Sequence, residues 1–290
     1  MKKKFIMLMF FLFLLNIAGC HRVDTAAFIP LPGKYDVRIL RDEWGVPHIF
    51  GKTDAAVAYG LGYAQCEDDW YNVEGAMLTA RGQLASVRGQ EEAKSDYMLN
   101  LFRVREFVDV KYEKELSPDT RALVEAYAAG ITHFAALHPD KMPNIELPVT
   151  GKDIVARTSF TSPFFYELQR DLEQWFAPEP NAVPPDKTAA RGKMKSPLTS
   201  DSRIPWTEAH MIGSNTFAVS PSRSADGFTR LAVNSHMPWS GPVAYFEAQL
   251  HSEEGWNMIG NTIPGGPLVV MGHDENKGWC HTINKPDLAD

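Results

Sequence analysis

The chain reads as an α+β protein, with helices in its first half and strands in its second, arranged in stacked layers. Three observations predict this. Residues 55–78 carry apolar side chains at roughly helical spacing, and Ser117-Pro118 announces a second helix. Beyond residue 213 the texture changes to short apolar runs separated by Gly-, Ser- and Asn-containing turns. Between the halves, over residues 177–205, Pro178, Pro180, Pro184, Pro185, Pro197 and Pro205 exclude regular structure.

Taken in order, residues 35–41 alternate apolar and polar through Val37 and Ile39. Residues 46–50 are apolar again beyond the turn signal Trp44-Gly45, so two strands are expected. Residues 55–78 predict the first long helix. Ser117 is an N-cap and Pro118 a first-turn proline for a helix through Leu123, Ala126 and Ile131. Residues 160–175 predict another helix, although Pro163 interrupts its start. After the proline-rich stretch, strands are expected at 215–219, 230–233, 244–251, 267–271 and 278–283. No internal repeat is present.

At the N-terminus, Lys2, Lys3 and Lys4 precede an uninterrupted apolar run over residues 5–15, the form of a secretory signal and too short to span a bilayer. Ile17-Ala18-Gly19-Cys20 then resembles the lipobox of bacterial lipoproteins. That resemblance implies removal of residues 1–19, acylation of Cys20 and a tether over 20–34. The chain would cross the inner membrane and stay lipid-anchored in the cell envelope, with His21, not Asp, leaving it free to reach an outer membrane. An ordinary signal peptide with a chance cysteine is the plainer alternative. Loss of residues 1–19 takes away three lysines and no acids, moving the formal charge from -7 to -10, which argues against a nucleic-acid partner. Beyond Cys20 only Cys66 and Cys280 remain, too few for a disulfide scaffold, though one bridge between them stays open.

Three blocks carry more specific information. The first is Val37-Arg38-Ile39-Leu40-Arg41-Asp42-Glu43-Trp44-Gly45-Val46-Pro47-His48-Ile49, followed by Tyr59-Gly60-Leu61-Gly62-Tyr63-Ala64 and Glu67-Asp68. The second is Gly213-Ser214-Asn215-Thr216. The third runs from Leu231-Ala232-Val233-Asn234-Ser235-His236-Met237-Pro238-Trp239 through Gly265-Gly266-Pro267-Leu268-Val269 to Trp279-Cys280-His281-Thr282-Ile283-Asn284. In this order they resemble the penicillin acylase family. The resemblance implies an N-terminal-nucleophile hydrolase with an αββα sandwich, cut from a precursor between Gly213 and Ser214. Residues 35–176 would then be the α part, 177–213 a spacer and 214–290 the start of the β part.

The implied chemistry suits these residues. A serine hydroxyl is a weak nucleophile until a base takes its proton, and cleavage would give Ser214 an α-amino group for that purpose. With a pKa of roughly 7.7 to 8.0, such an amine is substantially unprotonated near neutral pH. The resemblance places the backbone N–H of Ile283 in the oxyanion hole and a second donor, an asparagine, well downstream; Asn284 is not that residue. His236, 22 positions after Ser214, matches a histidine that steadies the amine, where a lone histidine would otherwise read as structural. Met237 and Trp239 match an acyl-pocket wall, with core packing the alternative for Trp239. Methionine there would suit a flexible acyl chain.

Asp287, the Ala289 carbonyl and Asp290 resemble a calcium segment completed by a glutamate of the α part, for which Glu167 is the choice and Glu173 the alternative. Solvated surface aspartates are the plainer reading. No organic cofactor is implied. The expected activity is hydrolysis of the linear amide of a small N-acyl substrate, a fatty-acyl amide such as a lipopeptide or acyl-homoserine lactone first and a β-lactam side chain next. The product of self-cleavage would be an α/β heterodimer. The competing class is a catalytically inactive surface lipoprotein that keeps the fold for binding. Family β parts are several times longer than residues 214–290, so residues 1–290 are expected to be an incomplete sandwich and inactive alone.

Overall fold

The computed structural model describes residues 34–166, 168 and 214–282. The expectations for Cys20, Glu167, Glu173, Gly213, Ile283, Asn284, Asp287, Ala289 and Asp290, and for the signal and spacer, lie outside the described residues.

Among the described residues the molecule is mixed helix and sheet. Helices α1 (Asp54–Arg81), α2 (Leu84–Arg88), α3 (Ala93–Leu101), α4 (Val104–Glu115), α5 (Pro118–Leu137) and α6 (Gly151–Thr161) follow two strands, β1 (Val37–Arg41) and β2 (Pro47–Gly51). Later come β3 (Ser214–Val219), β4 (Arg230–Ser235), β5 (Phe246–Ser252), β6 (Asn257–Thr262), β7 (Met271–His273) and β8 (Gly278–Trp279). Among the described residues six strands form one mixed sheet in the order β1-β2-β5-β6-β7-β8, and β3 pairs with β4 in a second, two-stranded sheet. The parallel pairing of β2 with β5, from His48↔Gln249 to Gly51↔Ser252, joins the two halves of the chain in one sheet.

Local chemistry explains the two long helices. Thr53 caps α1 by accepting from the Ala56 amide at 3.0 Å. Gly82 ends it at φ 66°, in the left-handed region where its amide reaches the Leu78 and Thr79 carbonyls. Ser117 caps α5 by accepting from the Thr120 amide at 3.1 Å, with Pro118 in the first turn. α1 is buried on two sides over most of its length, with Glu67, Asp68 and Tyr71 left exposed. Toward the sheet, a Cβ on Gly60 would stand 2.7 Å from methyls of Val37 and Ile49. Toward α5, a Cβ on Gly62 would stand 2.3 Å from the Tyr127 carbonyl oxygen, and one on Gly130 2.1 Å from that of Tyr59. The core of Ile49, Val57, Leu61, Tyr127, Ile131, Ala248 and Leu250 fills this junction.

Two polar clusters form around the buried side chains of Gln65 and Asp153. The Gln65 side chain donates to Thr262 Oγ1 at 2.7 Å and accepts from the Tyr127 hydroxyl at 2.5 Å and the Gly265 amide at 3.2 Å. One side chain thus ties α1 and α5 to the loop after β6. Asp153, 2% exposed, accepts from Arg81 Nη2 at 2.9 Å, Arg105 Nη1 at 2.7 Å and the Thr150 amide at 2.9 Å. Burial alone would raise this carboxyl, but the Arg81 bond and charge, the Thr150 amide and Arg105 hold it below the usual range. At the surface, Arg41 reaches Asp68 at 2.8 Å and Glu67 at 3.0 Å, bringing together two parts of the first motif block.

Several sequence expectations shift. Within the helix expected at 160–175, residues 160 and 161 instead end an unanticipated helix over Gly151–Thr161 that Thr150 and Asp153 open with a capping box. A 3-10 turn over Ser162–Tyr166 follows at Pro163, residue 168 is helical, and 167 and 169–175 lie outside the described residues. The strand placed at 267–271 begins only at Met271, because Pro264, Gly265 (φ 82°) and Pro267 turn the chain first. Strand β6 and helices α2 to α4 were not anticipated. The bridge left open between Cys66 and Cys280 is not formed, since both thiols are free and Cys66 is enclosed within α1.

Candidate active site

Ser214 is the first residue of β3, half-buried, and opposite Ser235 in the antiparallel ladder with β4. Because strand side chains alternate, Ser214, Thr216 and Ala218 share one face with Ser235, Val233 and Leu231. Asn215 and Asn234, directly opposite each other, lie on the other face. His236 follows β4 immediately, and its Nε2 is 3.2 Å from the Nδ2 of both Asn215 and Asn234. Amide donation to Nε2 leaves the ring proton on Nδ1, the tautomer this pairing selects. The hairpin therefore holds His236 one residue from the ladder partner of Ser214.

The Ser214 face of the hairpin meets the edge of the larger sheet. A Cβ on Gly278 would stand 2.2 Å from Leu231 Cδ2. The Cys280 thiol donates to Met271 Sδ at 3.6 Å. Partial burial raises this thiol and the Thr216 side chain, two residues beyond Ser214, opposes that rise, so the group is a neutral thiol at physiological pH. Trp279 Nε1 donates to the Val269 carbonyl at 3.0 Å, fixing the segment that continues through His281 and Thr282. The 278–280 segment thus packs on the Ser214 face of the hairpin, whereas the Asn215–His236–Asn234 cluster is held from the opposite face.

Other expected residues divide. Met237 is half-buried beside His236, whereas Trp239 is exposed at 102% and packs into no core among the described residues. Among the described residues no group of three His, Cys, Asp or Glu side chains converges as a metal site. A cleft of about 390 Å³ lies elsewhere, lined by Arg81, Arg105 and Asp153 together with Gln83, Glu146 and Pro148. Its cations are committed to Asp153, so it reads as the mouth of a structural ion-pair cluster. Sequence reasoning missed Asn215 and Asn234 as partners of His236. The signal that reveals them is the hairpin register, which requires knowing that 214–219 pairs with 230–235.

Comparison with known proteins gives a consistent pattern. Residues 36–290 match the family model described as penicillin amidase. An acyl-homoserine lactone acylase of Pseudomonas putida is 26% identical over 270 residues, covering 88% of this chain and 34% of that protein. An aculeacin-A acylase of Actinoplanes utahensis is 25% identical over 293 residues, covering 90% of this chain and 36% of that protein. The chain thus spans about a third of the length of the curated relatives it matches. A penicillin G acylase structure from Alcaligenes faecalis aligns at a TM-score of 0.35 and 23% identity over 49% of this chain and 85% of that one, too shallow a likeness to bear on the fold.

Proposed function

The chain belongs to the penicillin amidase family, and from that premise we propose that it is part of a self-cleaving amide hydrolase whose nucleophile is Ser214. Cleavage of the Gly213–Ser214 peptide frees the Ser214 α-amine. That amine takes the Oγ proton as Oγ attacks the substrate carbonyl, forming a tetrahedral oxyanion held by the Ile283 amide. Collapse breaks the C–N bond, the amine leaving group takes the proton, and water then releases the acyl group from Oγ by the same route. The single observation that carries this reading is the placement of Ser214: it opens a strand whose neighbouring hairpin positions clasp His236.

The favoured substrate is a fatty-acyl amide, as the names of the relatives suggest, with a β-lactam side chain second. His236, clasped by two asparagines, is a positioning group for the amine. Met237 contributes to the acyl wall. Asp287, Asp290, Glu167 and the Ala289 carbonyl supply hard oxygen donors of the kind calcium takes. Cys20 carries the lipid that holds the protein to the membrane, and the α and β pieces stay together as a heterodimer. The test is a comparison of fatty-acyl and phenylacetyl amide hydrolysis by the expressed gene product and by its Ser214→Ala variant. Faster fatty-acyl turnover that vanishes in the variant is expected; equal hydrolysis by the variant would contradict the proposal.

A further inference from the structure

A cluster of titratable rings lies outside the candidate active site, where α1 crosses α5. The Tyr59 hydroxyl on α1 is hydrogen-bonded to His133 Nδ1 on α5. Tyr35, which leads into β1, stacks on the Tyr59 ring at 4.7 Å, and Tyr63 of α1 lies 5.4 Å from the His133 ring. The charged and titratable groups around them are Lys34 over Tyr35, Glu67 beside Tyr63, and His138 and Lys141 against Phe134. Backbone contact holds the rings at this spacing. A Cβ on Gly130, one turn before His133, would stand 2.1 Å from the Tyr59 carbonyl oxygen and 3.0 Å from the Tyr63 amide nitrogen.

Burial, with Tyr63 and Tyr35 adjoining, pushes Tyr59 up to about 12, so its hydroxyl keeps its proton and is the donor. Neutral Nδ1 then accepts, and the ring proton sits on Nε2. Protonation of the ring turns Nδ1 into a donor and forces the hydroxyl oxygen to accept. The hydroxyl hydrogen, on a residue 7% exposed, is left with no acceptor among the described residues. We propose that the Tyr59–His133 contact is a proton-sensitive latch on the α1–α5 junction, closed while His133 is neutral and weakened when it is protonated. Burial of the imidazole acts in the same direction, holding His133 below the ordinary 6.5. The latch therefore contributes fully above pH 6.5 and is lost as pH falls from there through the lower, folded-state value. Gln65 ties these same two helices to the loop after β6, so the latch acts on the joint between the two halves of the chain.

Thermal unfolding of the full chain between about pH 8 and about pH 5 tests the latch. Tyr59→Phe removes only the hydroxyl, and His133→Gln supplies a side-chain carbonyl that accepts without titrating. At the alkaline end Tyr59→Phe should lower Tm by about 2–4 °C, the share of one neutral hydrogen bond. That gap should hold down to pH 6.5 and close below it. In the His133→Gln background, the gap opened by Tyr59→Phe should not change with pH. No gap at the alkaline end, or one that stays constant or widens on acidification, would overturn the proposal. So would a gap that closes equally in the His133→Gln background, because a group other than His133 would then be titrating. If the His133→Gln protein does not fold, wild type against Tyr59→Phe decides by the first two criteria.

Discussion

The Asn215–His236–Asn234 cluster and Asp153 show how single polar residues act in this molecule. Two amides on one imidazole nitrogen fix both its tautomer and its orientation, and each neutral hydrogen bond is worth about 1 kcal/mol. Asn234→Ala is therefore expected to slow self-cleavage several-fold, with turnover reduced more through kcat than KM; unchanged cleavage kinetics would remove His236 positioning from the account. Asp153 acts on stability. Its folded-state pKa lies below the ordinary 3.8, so its contribution is present above that value and is lost as pH falls through the lower, folded-state pKa. Asp153→Ala leaves two arginines without their buried partner and should cost about 3–5 kcal/mol at pH 7. Urea unfolding across pH should show that deficit shrinking only below pH 3.8.

At the scale of elements, close backbone approach sets the helix crossing. A methyl group on Gly130 meets the Tyr59 carbonyl, which cannot rotate away, so Gly130→Ala should destabilise by roughly 1–3 kcal/mol. Gly278→Ala meets only the tip of Leu231, a side chain 38% exposed and free to turn, and should stay within about 0.5 kcal/mol of wild type. Equal losses in chemical denaturation would show that the two contacts are not as different as this geometry implies. The elements also show what was legible beforehand. Helix α1 could be read from apolar residues at roughly helical spacing, and α5 because Ser117 and Pro118 open such a run. α6 was not anticipated because its start is marked by the reciprocal Thr150 and Asp153 pair, and not by its apolar pattern. β6 was invisible because Asn257, Gly260 and Asn261 break the apolar alternation and the strand is only half-buried. Ser214 and His236 were recognisable through the motif, while the asparagines around His236 depend on strand register, a long-range property.

Across the whole molecule, the sheet is shared. β1 and β2 come from before the proposed cleavage point, β5 to β8 from after it, and α1 is pressed against both groups. A cut between Gly213 and Ser214 would sever no strand pairing, so the two pieces should copurify in native buffer and separate only in denaturant. Separation under native conditions would contradict the shared sheet. The most direct test of the central claim is intact-mass analysis and N-terminal sequencing of the expressed gene product beside its Ser214→Ala variant. The account predicts a new N-terminus reading Ser-Asn-Thr-Phe in the wild type and a single uncut chain in the variant. A fully active wild-type protein in which Ser214 remains internal would contradict it.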